Sequence, residues 1–136
     1  MARGFSLFEM VIVMGIIGLI LGGAIYSMGK IKGSAALGAV DTDLTSFESN
    51  LEMYNRNGGT YPSTSQGLEA LITKPTGSPR PRRWIQTLDD EDALIDPWGT
   101  KYKYVYPGSK DPSRPEIISA GPDKEFGGED DMSNQD

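Results

Sequence analysis

Three carboxylates near the C-terminus, Asp123, Asp130 and Asp131, flank glycines in the segment A-G-P-D-K-E-F-G-G-E-D-D, residues 120–131. Carboxylates converging with main-chain carbonyls on a tight turn suit calcium, a hard cation that takes roughly six to eight oxygens in flexible geometry. The segment is not an EF-hand, because the D-x-[DN]-x-[DN]-G series and its terminal glutamate spacing are absent. Taken alone, the same residues also describe a solvated acidic end, the commoner fate of such composition.

A fourth carboxylate is placed very differently. Glu9 stands at the entrance of a stretch, Met10 to Gly29, without a single charged residue. About 20 helical residues cover about 30 Å, the thickness of a bilayer core, so this stretch is expected to be a membrane helix. An ionised carboxylate within the apolar layer costs several kcal/mol unless a cation accompanies it. Glu9 therefore either sits at headgroup level or has a positively charged partner. A cleaved secretory signal would need a basic start, a shorter apolar core and a small-x-small site after it, none of which fits.

The chain contains no histidine and no cysteine. That removes the commonest general base, the Ser-His and Cys-His nucleophile pairs and the usual zinc ligands, so hydrolase chemistry is not expected. It also removes the disulfides that small secreted domains often use. Residues 30–110 hold ten basic and ten acidic side chains, whereas 111–136 hold two and eight, which is the whole of the net charge of −6. No nucleic-acid partner is expected, since phosphate binding needs clustered Lys and Arg. The only basic cluster, Arg80, Arg82 and Arg83, lies among prolines and reads as a solvated loop.

The elements that must position these groups are legible in outline. Leu37, Val40, Leu44, Phe47, Leu51 and Tyr54 recur at alternating spacings of three and four, one stripe on a helix. No proline interrupts the chain from Phe5 to Asn57, and Gly58-Gly59 is a stop, so anchor and amphipathic segment are expected to form one helix of roughly 75 Å. Beyond it, Ser63 or Ser65 is expected to cap a brief helix through Leu71, and Pro75 to Pro81 is a loop. Lys101 to Tyr106 alternates as a half-exposed strand, with a second strand over Glu116 to Ser119. Two or three strands folded on an amphipathic helix give an α+β class. Trp98, in the turn D-P-W-G, is expected to pack on the helix stripe, while Gly18 and Gly22 form a small-x-x-x-small pair suited to helix contact.

The entrance R-G-F-S-L-F-E, followed by the uncharged run, resembles the class III signal of type IV pilins and pseudopilins. Four further segments are similar to the major pseudopilin of type II secretion: Tyr61-Pro62; Gln66-Gly67-Leu68-Glu69-Ala70-Leu71; Asp96-Pro97-Trp98-Gly99 followed by Tyr102; and Ser119-Ala120-Gly121-Pro122-Asp123 ahead of Glu129-Asp130-Asp131. The family's usual proline near the end of the apolar stretch is missing, with Tyr26 about where it would be. Gly22 and Gly23 could supply the same weakness, since glycine costs roughly 1 kcal/mol in a helix interior.

The resemblance implies a pilin-like α+β fold, a long N-terminal helix on a small antiparallel sheet with a C-terminal calcium loop, and no enzymatic activity. It implies a leader over residues 1–4, a transmembrane and filament-core helix over 5–29 and a periplasmic domain over 30–136. A prepilin peptidase would cut after Gly4 and methylate Phe5, and Glu9 would pair with the amino terminus of an adjacent subunit's Phe5. Calcium would be held by the side chains of Asp123, Asp130 and Asp131 and the carbonyls of Ala120 and Glu125. The partners implied are further copies in a homopolymeric filament, minor pseudopilins, an inner-membrane assembly platform and the peptidase. The filament, single-pass in the inner membrane with its domain in the periplasm, would drive folded proteins across the outer membrane. The alternatives are a type IV pilin, a DNA-uptake pseudopilin or a monomeric membrane-anchored calcium module.

The entrance motif predicts cleavage between Gly4 and Phe5 with N-methylation of Phe5. Intact-mass measurement of membrane-extracted protein checks this, and a mature chain still starting at Met1 or Ala2 would refute it.

Overall fold

The computed structural model describes residues 4–136, with the side chains of 23–32 outside the description. A single helix, α1, runs over Leu7–Gly58. Its length follows from the absence of proline. Its end is set by Gly59, whose φ of +82° is the left-handed conformation that commonly closes helices, with its amide donating to Asn55 O at 2.7 Å. The chain divides into two compact units, Met1–Ala35 and Ala36–Asp136.

In the first unit the described apolar side chains from Phe5 to Leu21 stand exposed, none of the large ones by less than 45%. Among the described residues no helix is long and apolar enough to cross a membrane. The uncharged run Met10 to Gly29 continues into 23–29, so Gly23, Tyr26 and Gly29 of the sequence argument lie outside the described side chains.

The second unit is built on the stripe. Val40, Leu44, Phe47, Leu51 and Tyr54 are buried, and Leu68, Leu71, Leu94, Tyr102, Tyr104 and Ile117 cover them. Leu37 is the exception, 45% exposed, because the cover begins at Val40. The cover is thin. It consists of 3₁₀ turns over Leu68–Leu71 and Glu91–Leu94 and an antiparallel sheet in the order β1 (Lys103–Val105), β2 (Glu116–Ser119), β3 (Met132–Ser133). The first 3₁₀ turn stands where a brief helix was expected. Ser63 and Gln66 bond reciprocally, Ser63 Oγ accepting from the Gln66 amide and Gln66 Oε1 from the Ser63 amide, and the chain then tightens into 3₁₀ geometry. The second turn was not foreseen. It is capped by Asp90 Oδ1, which accepts from the amides of Asp92 and Ala93.

The expected strand over 101–106 is shorter, because the Tyr102 amide donates to Leu94 O and Lys101 only bridges Ile95. The alternation nevertheless holds. Tyr102 and Tyr104 point inward, Phe47 and Tyr102 pack edge-on at 5.1 Å, and the two hydroxyls donate to Asp43 Oδ2 and Pro62 O at 2.7 and 2.8 Å. The Asp96 carboxylate, buried, organises the D-P-W-G turn: Oδ1 accepts from the Trp98 and Thr100 amides, and Oδ2 from the Ser119 hydroxyl. Trp98 packs at the edge of the core, as expected of a structural residue.

The C-terminus is tied down. Asn134 Oδ1 accepts from the Ile117 amide at 2.8 Å, and Asn134 Nδ2 donates to Glu48 Oε1 on α1 at 2.9 Å. Gln135 Oε1 accepts from the amides of Lys110 and Asp111, and Lys110 pairs with Asp136. Hydrogen bonds from the Ser113 hydroxyl and the Arg114 guanidinium hold the Asp111 carboxyl down at about 2.

Leu51→Ala is expected to lower the unfolding free energy of the fragment from Lys30 onward by about 2–5 kcal/mol, the range for buried leucines. Leu37→Ala should change it by less than about 0.5 kcal/mol, as exposed positions do. Urea unfolding of both variants checks the contrast, and equal losses would contradict the burial pattern.

Candidate functional site

Two groups of residues carry chemistry, one at the start of α1 and one between β2 and β3. At the first, Ser6 and Glu9 form a reciprocal capping box. Glu9 Oε2 accepts from the Ser6 amide at 2.9 Å, and Ser6 Oγ accepts from the Glu9 amide at 3.2 Å. The S-x-x-E spacing of Ser6 and Glu9 is the signal of this cap in the sequence. The carboxylate thus has a role within its own chain, which occupies one of its oxygens and places negative charge at the positive end of the helix dipole. Gly4 and Phe5 just before it are both exposed.

The second group is a loop, not a free end. Ser119 pairs with Met132, so residues 120–131 connect two hydrogen-bonded strands and both ends are fixed. Gly121, with φ of +70°, lets the returning chain lie against it, where a Cβ would overlap the Asp130 carbonyl oxygen. Lys124 takes the left-handed conformation at φ 63° and donates its amide to Gly121 O at 3.2 Å. Asp123 Oδ1 accepts from the Glu125 amide at 2.9 Å, and Asp131 Oδ2 from the Gly127 amide at 2.8 Å.

The other oxygens bear on the expected cation. Asp123 Oδ2 and the Glu125 carbonyl both lie within 4 Å of the Cβ position that Gly128 leaves vacant. Asp131 Oδ1 is buried with no hydrogen-bond partner, an arrangement costly for a carboxylate oxygen unless something positive meets it. Ala120 is fully buried beside these turns. Asp123 and Asp131 thus each commit one carboxylate oxygen to a backbone amide of the loop. Asp130 presents its main-chain carbonyl to Gly121. Among the described residues, no group of three or more acidic side chains is gathered as a ready metal cage.

With this geometry in place, comparison with known proteins is informative. The model of the family described as type II secretion system (T2SS), protein G matches residues 27–135. The chain belongs to this family. Relatives named type II secretion system core protein G include one from Pseudomonas aeruginosa, 35% identical over 127 residues, covering 93% of this chain and 88% of the relative. Another, from Pectobacterium carotovorum subsp. carotovorum, is 39% identical over 132 residues, covering 97% and 83%. Among solved structures, the crystal structure of the major pseudopilin from the type 2 secretion system of enterohaemorrhagic Escherichia coli superposes with a TM-score of 0.68 at 40% identity. That match covers 79% of this chain and 87% of the other.

The α+β pilin-like fold expected from the sequence is thereby the fold of the family, and family membership makes this chain a structural pseudopilin subunit of a type II secretion system rather than an enzyme. It is a component of the secretion system in the cell envelope.

Proposed function

We propose that the chain is the major subunit of the pseudopilus, inserted in the inner membrane by the apolar part of α1 and polymerised through that same helix into a periplasmic filament. The observation that carries this reading is the exposure of every large described apolar side chain from Phe5 to Leu21. A single chain in water would leave this surface uncovered, which soluble monomers avoid; lipid covers it before assembly and neighbouring helices afterwards. Gly18 and Gly22, where an added Cβ would meet open space, allow those helices to approach closely. Processing by the prepilin peptidase frees the Phe5 amino group, which neutralises the Glu9 of a neighbour while the capping bond to Ser6 holds that carboxylate in place. The domain from residue 30 onward stands in the periplasm, and the minor pseudopilins and an inner-membrane platform start and drive growth that exports folded proteins.

We assign calcium to the loop 120–131, with Asp123 and Asp131 as the leading side-chain ligands, the Glu125 carbonyl beside them, and Asp130 and Ala120 completing the shell. The buried oxygen of Asp131 supports this assignment. The ion supplies positive charge to a loop rich in carboxylates, performing the stapling that disulfides perform elsewhere.

Glu9→Ala is expected to yield processed, membrane-inserted protein that assembles poorly. Crosslinking ladders in membranes report it, and wild-type ladders in the variant would mean that the carboxylate is merely interfacial.

For the loop, melting the fragment from Lys30 in calcium and then in excess chelator should show a clear drop. Binding to the folded state contributes about 2.7 kcal/mol when free calcium is a hundredfold above Kd, which is some 10 °C for a domain of roughly a hundred residues. Asp131→Asn and Asp123→Ala should respond little to calcium. Identical melting of the wild type with and without calcium would rule the site out.

A further inference from the structure

Two charged clusters of the second unit are left over by the fold. Asp89, Asp90, Glu91 and Asp92 are exposed, and none is ion-paired among the described residues. Asp92 and Asp43 line a groove of about 200 Å³ whose apolar surface comes from Phe47, Leu88 and Ile95, the last 40% exposed. Asp90 is committed to capping its 3₁₀ turn, so the carboxylates facing outward are mainly Asp89, Glu91 and Asp92. The second cluster is Arg80, Arg82 and Arg83, also exposed and also without an ion pair among the described residues. The Arg82 amide donates to Gly58 O at 3.0 Å, which fixes this loop at the C-terminal end of α1.

No ion pair joins the two clusters within one chain among the described residues. The groove lies beside Asp43 to Phe47 and the Arg82 backbone beside Gly58, about 20 Å apart along the helix at 1.5 Å per residue.

We infer that the arginine loop of one copy docks in the acidic groove of a second copy, displaced along α1 toward its C-terminal end by about 20 Å. This rests on the filament reading above. Opposite charge selects the pairing, and the apolar groove strengthens it by excluding water from one side. Arginine suits the site, because its planar fork pairs with carboxylates while its apolar stem packs on the accessible surface of Leu88 and Ile95. The contact joins two different patches, and because each step also displaces the copy along the axis it repeats without closing into a ring, which makes an open polymer.

The test uses the full chain in membranes. Since it has no cysteine, Arg83→Cys with Asp92→Cys introduces the only thiols. Oxidation is expected to give ladders at multiples of the subunit mass, absent from either single variant and weakened when formed in about 1 M salt. Arg82→Glu with Arg83→Glu should cut filament yield roughly tenfold, the effect of two to three modest ion pairs. Adding Asp89→Arg and Asp92→Arg to that chain should restore it, with unchanged melting showing that the fold is intact. A separate Leu19→Cys variant reports helix bundling alone, as disulfide-linked dimers, the limit for one thiol per chain. Dimers from Leu19→Cys with no ladder from the groove pair would overturn the docking and leave the filament standing. Absence of dimers and ladders alike would overturn both. A crosslinked band containing a different protein, or full assembly of the chain carrying Arg82→Glu and Arg83→Glu alone, would equally refute a second copy as the occupant.

Discussion

The stripe Val40, Leu44, Phe47, Leu51 and Tyr54 has no partner within α1, and every other element of the second unit is placed to cover it. This constraint explains why so little regular structure suffices. The sheet has strands of two to four residues, too short to be stable alone, yet each strand brings an inward side chain onto the helix. Tyr102 and Tyr104 do this twice over, burying rings in the core and anchoring their hydroxyls to Asp43 and Pro62 O. Polar groups inside the unit are spent on turns: Asp96 alone accepts three hydrogen bonds that hold the D-P-W-G corner and join it to β2. Removing one such group would leave several buried donors unmatched, a larger loss than the bond itself.

Much of this was legible because helical periodicity is a local signal. Five of six stripe positions are buried, and the helix stop at Gly58-Gly59 falls where glycine makes it cheap. The exception, Leu37, shows the limit: spacing defines a face but not how far along it the cover extends. The strand β2 matched its expected bounds, whereas β1 contracted because the Tyr102 amide is taken by Leu94 O, a long-range choice with no sequence marker. β3 was missed for the same reason, since two residues carry no periodicity and are set by pairing with Ile118 and Ser119.

The crowding of carboxylates around glycines at 120–131 is legible in composition, and the resemblance singles out Asp123, Asp130 and Asp131, but which oxygen faces where depends on backbone turns. Gly121 admits the chain at Asp130 only because it lacks a Cβ, and this turns the Asp130 carbonyl, rather than its carboxylate alone, into part of the loop. Composition also favoured a solvated end. Apart from Asp131 the acidic residues are exposed, but they do not form a free end: the Asn134 side chain bonds to β2 and to α1 at once, so that the loop is fixed on both sides. Fixing the ends confines the carboxylates and raises the repulsion that a bound cation would offset.

The two units face opposite versions of one problem. The second hides its apolar stripe with its own chain and sheds its excess charge into the loop and tail; the first presents apolar side chains that nothing in its own sequence can cover. A bundle of such helices would satisfy the first unit but would tolerate sliding, because apolar packing of small residues is weakly specific along the axis. Register must come from polar groups held at defined heights. On the filament reading, Glu9, fixed by Ser6 at the helix start, would be one such group. The arginine loop and the acidic cluster of the second unit would be others. Complementary charge outside the bundle then limits which axial offsets are available, while the helices supply most of the binding, a division of labour in which electrostatics sets specificity rather than affinity.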